Sequence, residues 1–281
     1  MAHIVTSTAA VLLALTVTTE SANILFLYPI GSPSHKNVAL PVITGLADRG
    51  HNVTVVSSYP SKHPKVWDIH PFKNFDYFPP DTTVMDHRRR GIWGMIFMNY
   101  DPILAFCHEL YKSDEVLGLL KEKFDLVLID TFGNECALGI VHKLGAPLIP
   151  ISPLVLPHHV SLSVGNRLPP SFTPHIFSTY GDQMNFGERF INFLITVGAY
   201  YAVRWPFDTH EEIYRKYLGQ DLPGVDEILG NSSMIFSNSH FTFTLPRPTL
   251  PDVVEIGASH CRQGKTLPEV SEFRSHVKCV I

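Results

Sequence analysis

Residues Asn23–Tyr59, NILFLYPIGSPSHKNVALPVITGLADRGHNVTVVSSY, restrict the fold more than any other stretch of this 281-residue chain. An apolar run at Ile24–Tyr28 is long enough for one buried strand. A turn of Pro, Gly and Ser, Pro29–Ser34, follows and carries His35. Lys36–Asp48 has helical spacing and is stopped by Gly50, and Val53–Val56 is β-branched throughout. Strand, loop, helix and strand at these lengths make one βαβ unit of a parallel sheet. Its right-handed crossover places the first loop at the carboxyl edge of the strands, where open α/β sheets put their chemistry. His35 is therefore expected in a loop on that edge.

A second unit repeats the logic. Phe124–Ile129 (FDLVLI) is a strand ended by Asp130, Glu135–Leu144 is helix-length and closed by Gly145, and Pro147–Ile151 is the next strand, with prolines at its margins. Asp130 then stands at the carboxyl end of its strand, on the same edge as His35. Between the units, Pro60–Pro80 is a connection with a short strand near Val66–His70. Thr83–Tyr100 is a helix that either lines a cleft or packs as an ordinary amphipathic element. Asp101–Lys123 is helical with a break near Ser113-Asp114. Beyond the second unit, Ser152–Tyr180 has little periodicity and suggests an irregular cleft wall. Phe186–Val203 is helical with much aromatic surface, suited either to a nonpolar substrate cavity or to core packing. Glu211–Leu218 fits a short helix, and Ser233–Ser237 and Val253–Ile256 are strands around the proline-rich loop Asn238–Pro251. No internal repeat appears. The expected fold is α/β: one Rossmann-like parallel sheet with flanking helices, spanning residues 23–260.

Composition removes several function classes. The formal charge is −4 and no basic block exceeds Arg88–Arg90, which argues against a nucleic-acid partner. There are 15 histidines but no HExxH, and adjacent side chains such as His158-His159 diverge, so no metal site is expected. Ile4–Val17, followed by small and polar residues to Ala22, reads as a secretory signal peptide occupying residues 1–22; the alternative is a buried first strand or helix. No later run is long enough for a transmembrane helix, and the expected location is the secretory pathway, in the endoplasmic reticulum lumen. There Asn52 and Asn231 become glycosylation sequons, the second in the more accessible loop. Cys107, Cys136, Cys261 and Cys279 could form disulfides whose connectivity the sequence leaves open.

His35 can act as a general base near neutral pH. A carboxylate at the end of an apolar strand needs a partner to offset its desolvation. Asp130 has two candidates: the amides of Thr131–Asn134, as a cap, or the second ring N–H of His35. No protein nucleophile completes a triad, because Ser32 and Ser34 are turn formers beside Pro33 and no GxSxG elbow exists. A His–Asp pair without a nucleophile suits activation of a hydroxyl on a bound substrate. The first turn is YPIGSPSH rather than GxGxxG, Ser57-Ser58 replaces the ribose-binding acid, and no P-loop or paired-carboxylate arrangement is present.

Three segments carry a family resemblance: NILFLYPIGSPSHKNVALPVITGLADRGHNVTVVS, FDLVLIDTFGNECALGIVHKLGAPLIPISP and NSSMIFSNSHFTFTLPRPTLPDVVEIGASHC. Together they resemble the amino-terminal half of insect membrane-associated UDP-glycosyltransferases of the UDP-glucuronosyltransferase superfamily. The resemblance implies a GT-B fold of two facing Rossmann-like domains, the first receiving a small lipophilic, hydroxyl-bearing acceptor and the second the nucleotide sugar. It implies His35 as catalytic base and Asp130 as its supporting carboxylate, in an inverting transfer without metal. The co-substrate would be a UDP-sugar, UDP-glucose first among them, and no resident cofactor is implied. Lys265–Phe273 resembles the linker to the donor-binding domain, whereas Arg274–Ile281 departs from the pattern, so residues 261–281 read as a linker start and atypical tail with the donor domain missing. The alternative expectation is a noncatalytic lumenal module that binds hydrophobic small molecules or associates with full-length transferases.

Overall fold

Seven strands pair in parallel throughout: β1 (Asn23–Tyr28), β2 (Asn52–Ser57), β3 (Val66–Ile69), β4 (Leu126–Asp130), β5 (Leu148–Ser152), β6 (Ile235–Ser237) and β7 (Val253–Glu255). The computed structural model describes residues 21–72, 101–176, 178–262 and 264. The signal segment, the helix expected over Thr83–Tyr100 and the tail from Lys265 lie outside the described residues, apart from Ser21 and Ala22. The spatial order is β3-β2-β1-β4-β5-β6-β7. From β1 the chain winds outward through β2 and β3, and from β4 it winds the other way. The β1/β4 pair is thus the topological switch point, where open α/β sheets form their ligand crevice.

Both faces of the sheet are covered, which is why β1 reads as an unbroken apolar run. Period-two alternation divides the core. Leu25, Leu27, Val127 and Ile129 face one cluster, while Ile24, Phe26, Tyr28 and Leu128 face the other, together with Ala39 and Ile43 of helix α1 (Pro33–Asp48). Leu126 and Leu128 lie on the α1 side, so the alternation also delivers Asp130 to that side.

The first helix begins earlier than its spacing suggested. Pro33 starts it, Ser32 is its extended N-cap, and the Ser32 carbonyl accepts the amides of His35 at 3.1 Å and Lys36 at 3.3 Å. Proline at the first helical position carries a preset φ and lacks only an amide that would have no partner there. His35 therefore sits in the first turn of α1, not in a loop. The break expected near Ser113 is present: α2 (Asp101–Leu110) ends before it, and Ser113 caps α3 (Asp114–Gly118) by accepting the Val116 amide. A 3-10 turn, Glu135–Ala137, leads into α4 (Leu138–Leu144), which Gly145 closes at φ 63°. Pro150 lies inside β5 rather than at its margin. Its missing N–H falls on the β6 side, where pairing begins only at Ile151, so no ladder bond is lost.

The region 152–180 is not wholly irregular, because it contains α5 (His158–Ser163). The two helices expected at Phe186–Val203 and Glu211–Leu218 are one, the 33-residue α6 (Phe186–Leu218), with Pro206 inside it. A capping box starts α6, Asn185 accepting the Glu188 amide and the Glu188 carboxylate accepting the Asn185 amide. Beyond Pro206, Phe207, Ile213 and Tyr214 enter the core and anchor the carboxyl-terminal part of the helix. A short α7 (Val225–Gly230) precedes β6. Among the described residues no helix is long and apolar enough to cross a membrane.

Cys107 of α2 and Cys136 of the 3-10 turn form a disulfide, while Cys261 is an exposed thiol. Both half-cystines are fully buried beside the loop that follows β4. Closing a loop across a separation of 29 residues restricts the unfolded chain by about 3–4 kcal/mol. Reduction, or Cys136→Ser, is expected to lower unfolding stability by an amount of that order, read by denaturant titration with and without reductant. Gly139 makes the other sensitive contact, because a Cβ there would stand 2.7 Å from Tyr214 Cβ, between α4 and α6. Gly139→Ala is expected to cost about 1–3 kcal/mol in the same titration.

Candidate active site at the β1–β4 switch point

The segment after β1 is held from two sides before it reaches His35. The Tyr28 hydroxyl, at the end of β1, donates to the Ser32 carbonyl at 2.5 Å. Gly31, at φ 150°, passes so close to the Tyr28 ring that any side chain there would overlap it. Ile30 is bound on the β4 side, its amide donating to Asn134 Oδ1 and its carbonyl accepting from Asn134 Nδ2, each at 2.8 Å. The hydroxyls of Ser32 and Ser34 face solvent 2.7 Å apart and bond each other, as turn residues do.

Beside His35, Lys36 is buried with its amine on the Tyr59 carbonyl and 3.6 Å from Asp68 Oδ1. Burial pulls the Lys36 pKa down, and Asp68 opposes that shift. Asp68 Oδ2 accepts the Ser61 amide and hydroxyl at 2.9 and 2.5 Å, so α1, β3 and the chain after β2 are fastened together beside the histidine.

Asp130 is buried at the end of β4. Its Oδ1 accepts the Phe132 amide at 2.8 Å and Asn134 Nδ2 at 3.3 Å. The capping role anticipated for this carboxylate is therefore present. Phe132 in turn meets His35 edge-on, with ring centroids 4.9 Å apart at 85°. His35 and Asp130 thus share the α1 side of the switch point and are linked through Phe132. No hydrogen bond joins imidazole to carboxylate among the described residues, and His35 Nδ1 is buried without a partner.

Desolvation dominates the electrostatics. It lowers the His35 pKa from 6.5 to about 4, so the ring is neutral and able to accept a proton at pH 7. Burial raises Asp130 well above the usual carboxylate range, the Phe132 amide opposes this, and nearby Glu135 adds to it. Glu135 is itself pushed up to about 7 by burial, and its Oε2 lies 3.5 Å from Nδ1 of His210 on α6. His210 is lowered to about 4 by the same desolvation, so both members of this contact are driven toward their neutral forms.

Other sequence candidates fall elsewhere. His158 packs on His175 at 4.7 Å, while His159 faces Phe207 at 6.0 Å, so the adjacent rings diverge as expected. Among the described residues no group of three or more His, Cys, Asp or Glu is placed to hold a metal ion. A small crevice is walled by His159, Tyr200, Arg204, Phe207 and Asp226, none of which belongs to the His35 edge. The amino-terminal half of α6 is not packed into the core, since Phe186 is 87% and Tyr201 69% exposed. The sequence pointed to the amides of Thr131–Asn134 as a cap, but not to the Phe132 ring against His35 or the Asn134 side chain bonded to Ile30. Their only signal was a polar, glycine-containing loop directly after a strand that ends in a buried acid.

Comparison with known proteins identifies the family. The family described as "UDP-glucoronosyl and UDP-glucosyl transferase" matches residues 29–279. UDP-glucosyltransferase 2 of Dactylopius coccus is 32% identical over 270 residues, covering 91% of this chain and 51% of the relative. UDP-glucuronosyltransferase 3A1 of Bos taurus is 27% identical over 275 residues, covering 92% and 51%. The chain spans about half the length of these curated relatives. Among solved structures, the calicheamicin glycosyltransferase CalG4 aligns over 85% of this chain and 53% of its own, with TM-score 0.45 and 13% identity. With a parallel Rossmann-like sheet of GT-B type and a family match across most of its length, this chain belongs to the UDP-glycosyltransferase family.

Proposed function

We propose that this chain is the acceptor-binding half of an inverting UDP-glycosyltransferase, with His35 as the general base and Asp130 as its supporting carboxylate. The observation that carries the reading is a neutral, desolvated imidazole in the first turn after β1, at the switch point, with a buried carboxylate on the same side of β4. His35 takes the proton of an acceptor hydroxyl as that oxygen bonds to the anomeric carbon. The bond from that carbon to the UDP oxygen breaks, and UDP leaves with the electron pair from the opposite face. The acceptor is a small lipophilic alcohol or phenol, and glucose or a related sugar is transferred.

Family membership and the edge geometry support this assignment. The orphaned Nδ1 of His35 supports an acid–base role for the ring, because a buried nitrogen without a partner is open to a hydrogen bond when substrate arrives. Hydrogen bonds at catalytic sites are commonly loose before substrate arrives and tighten afterward. Placement of acceptor against donor, and stabilisation of charge on departing UDP, would supply much of the rate gain. The reading places the protein in the lumen of the secretory pathway, where the Cys107–Cys136 disulfide persists.

Incubating the chain with UDP-glucose and a panel of phenols, while following conjugate formation and UDP release, tests the proposal. His35→Ala is expected to lose about 10²–10⁴-fold in turnover, and Asp130→Asn to lose less while leaving acceptor affinity unchanged. Acceptor binding with no UDP release under any condition would favour a noncatalytic binding module. The pH dependence has a definite sign. A base lowered to about 4 stays deprotonated at neutrality, so the acid limb of kcat/KM is expected near 4 rather than at 6.5. A limb at 6.5 would count against a desolvated base.

A further inference from the structure

We infer that Asn134 is the positioning residue of this edge: its carboxamide locks the segment entering α1 to the loop leaving β4, and so fixes Phe132 against His35. The inference rests on the reading of His35 as the base, and it assigns Asn134 no contact with substrate.

Asn134 is fully buried, and its side chain spends every hydrogen-bonding group on the two loops. Oδ1 accepts the Ile30 amide at 2.8 Å, and the two N–H groups of Nδ2 are shared among the Ile30 carbonyl at 2.8 Å, the Phe132 carbonyl at 3.1 Å and Asp130 Oδ1 at 3.3 Å. The paired bonds to Ile30 imitate one rung of a sheet across a sequence separation of 104. They also settle the orientation of the amide, since an N–H must find oxygen and a carbonyl must find N–H.

A simpler role can be excluded. Asn134 stands at the N-cap of the 3-10 turn Glu135–Ala137, where an asparagine ordinarily bonds the turn it begins. Its side chain makes no such bond and reaches across to Ile30 instead. What it holds is the frame of the site. Ile30 lies five positions before His35, and Phe132 both packs on the His35 ring and donates its amide to Asp130. Losing one donor or acceptor here leaves buried backbone groups unpaired, which is costlier than the bond itself.

Two readouts on the full chain test the role without relying on turnover. Hydrogen exchange should find the Ile30 amide protected in the native protein, although it lies outside any strand or helix; rapid exchange there overturns the inference without a mutation. In Asn134→Ala, Ile30 exchange should quicken by about tenfold or more while the β2 amides keep their protection. With ¹³C-labelled imidazoles, the His35 titration should rise by about one unit or more toward 6.5 as solvent reaches the ring, with His158 unmoved. Unchanged exchange at Ile30 and unchanged His35 titration in a folded Asn134→Ala protein would refute the role. Whether His35→Ala abolishes turnover is a separate measurement, so failure of the base assignment is distinguishable from failure of the clamp.

Discussion

The pairing of β1 with β4 is the constraint from which the rest follows. Ile24 to Leu27 register with Leu126 to Ile129, and seven of these side chains are buried on one face of the sheet or the other, with Leu126 half-buried. Slipping either strand by one residue would exchange its two faces and strand the apolar set. Register therefore determines chemistry. With β4 fixed, period two delivers Asp130 to the α1 side, and with β1 fixed, Tyr28 and the turn after it deliver His35 to the same side. The disulfide at Cys136 then restrains the loop that leaves β4 from the opposite face.

Burial at this edge drives titratable groups toward neutrality. Asp130 and Glu135 shift upward and His35 and His210 downward, all chiefly through desolvation. The Glu135–His210 contact at 3.5 Å is therefore not an ordinary ion pair, because charging both members inside the core costs more than their attraction returns. The linkage consequences oppose each other. The lowered histidines contribute stability that is complete above 6.5 and lost as pH falls toward 4, whereas Glu135 contributes stability that is lost as pH rises through about 7. These groups together favour a mildly acidic to neutral window.

Both strand–helix–strand units were legible, because spacing and apolar runs are local properties of the chain. The end position of Asp130 followed from the same pattern. The first turn of α1 is hard to see in the sequence, because a proline in a Pro, Gly and Ser stretch suits a loop as well as a helix start. Continuity of α6 was illegible for a related reason: Pro206 signals a break locally, and only tertiary packing of Phe207 and Tyr214 overrides it. The segment 152–180 looked irregular because its order comes from side chain to backbone bonds that have no periodicity. Asn192 shows this, its amide holding the Pro170 and Thr173 carbonyls and its oxygen the His175 amide. Disulfide pairing and the reach of Asn134 belong to the same class, set by which distant groups the fold brings together.

The placement of His35 in a first helical turn bears on the proposed role of a carboxylate on the same side of the sheet. The amino end of a helix carries partial positive charge, which disfavours imidazolium just as desolvation does. Such a site makes a good resting base, always neutral, but a poor holder of the proton it takes. On the proposed reaction the imidazolium forms together with charge on the leaving group, and a buried anion on the same side is then worth most. Asp130 costs stability while it waits, held by the Phe132 amide and by Asn134. An imidazolium on that side would draw Asp130 toward the anionic form that burial disfavours at rest, so the carboxyl group's support is exerted when the hydroxyl is activated.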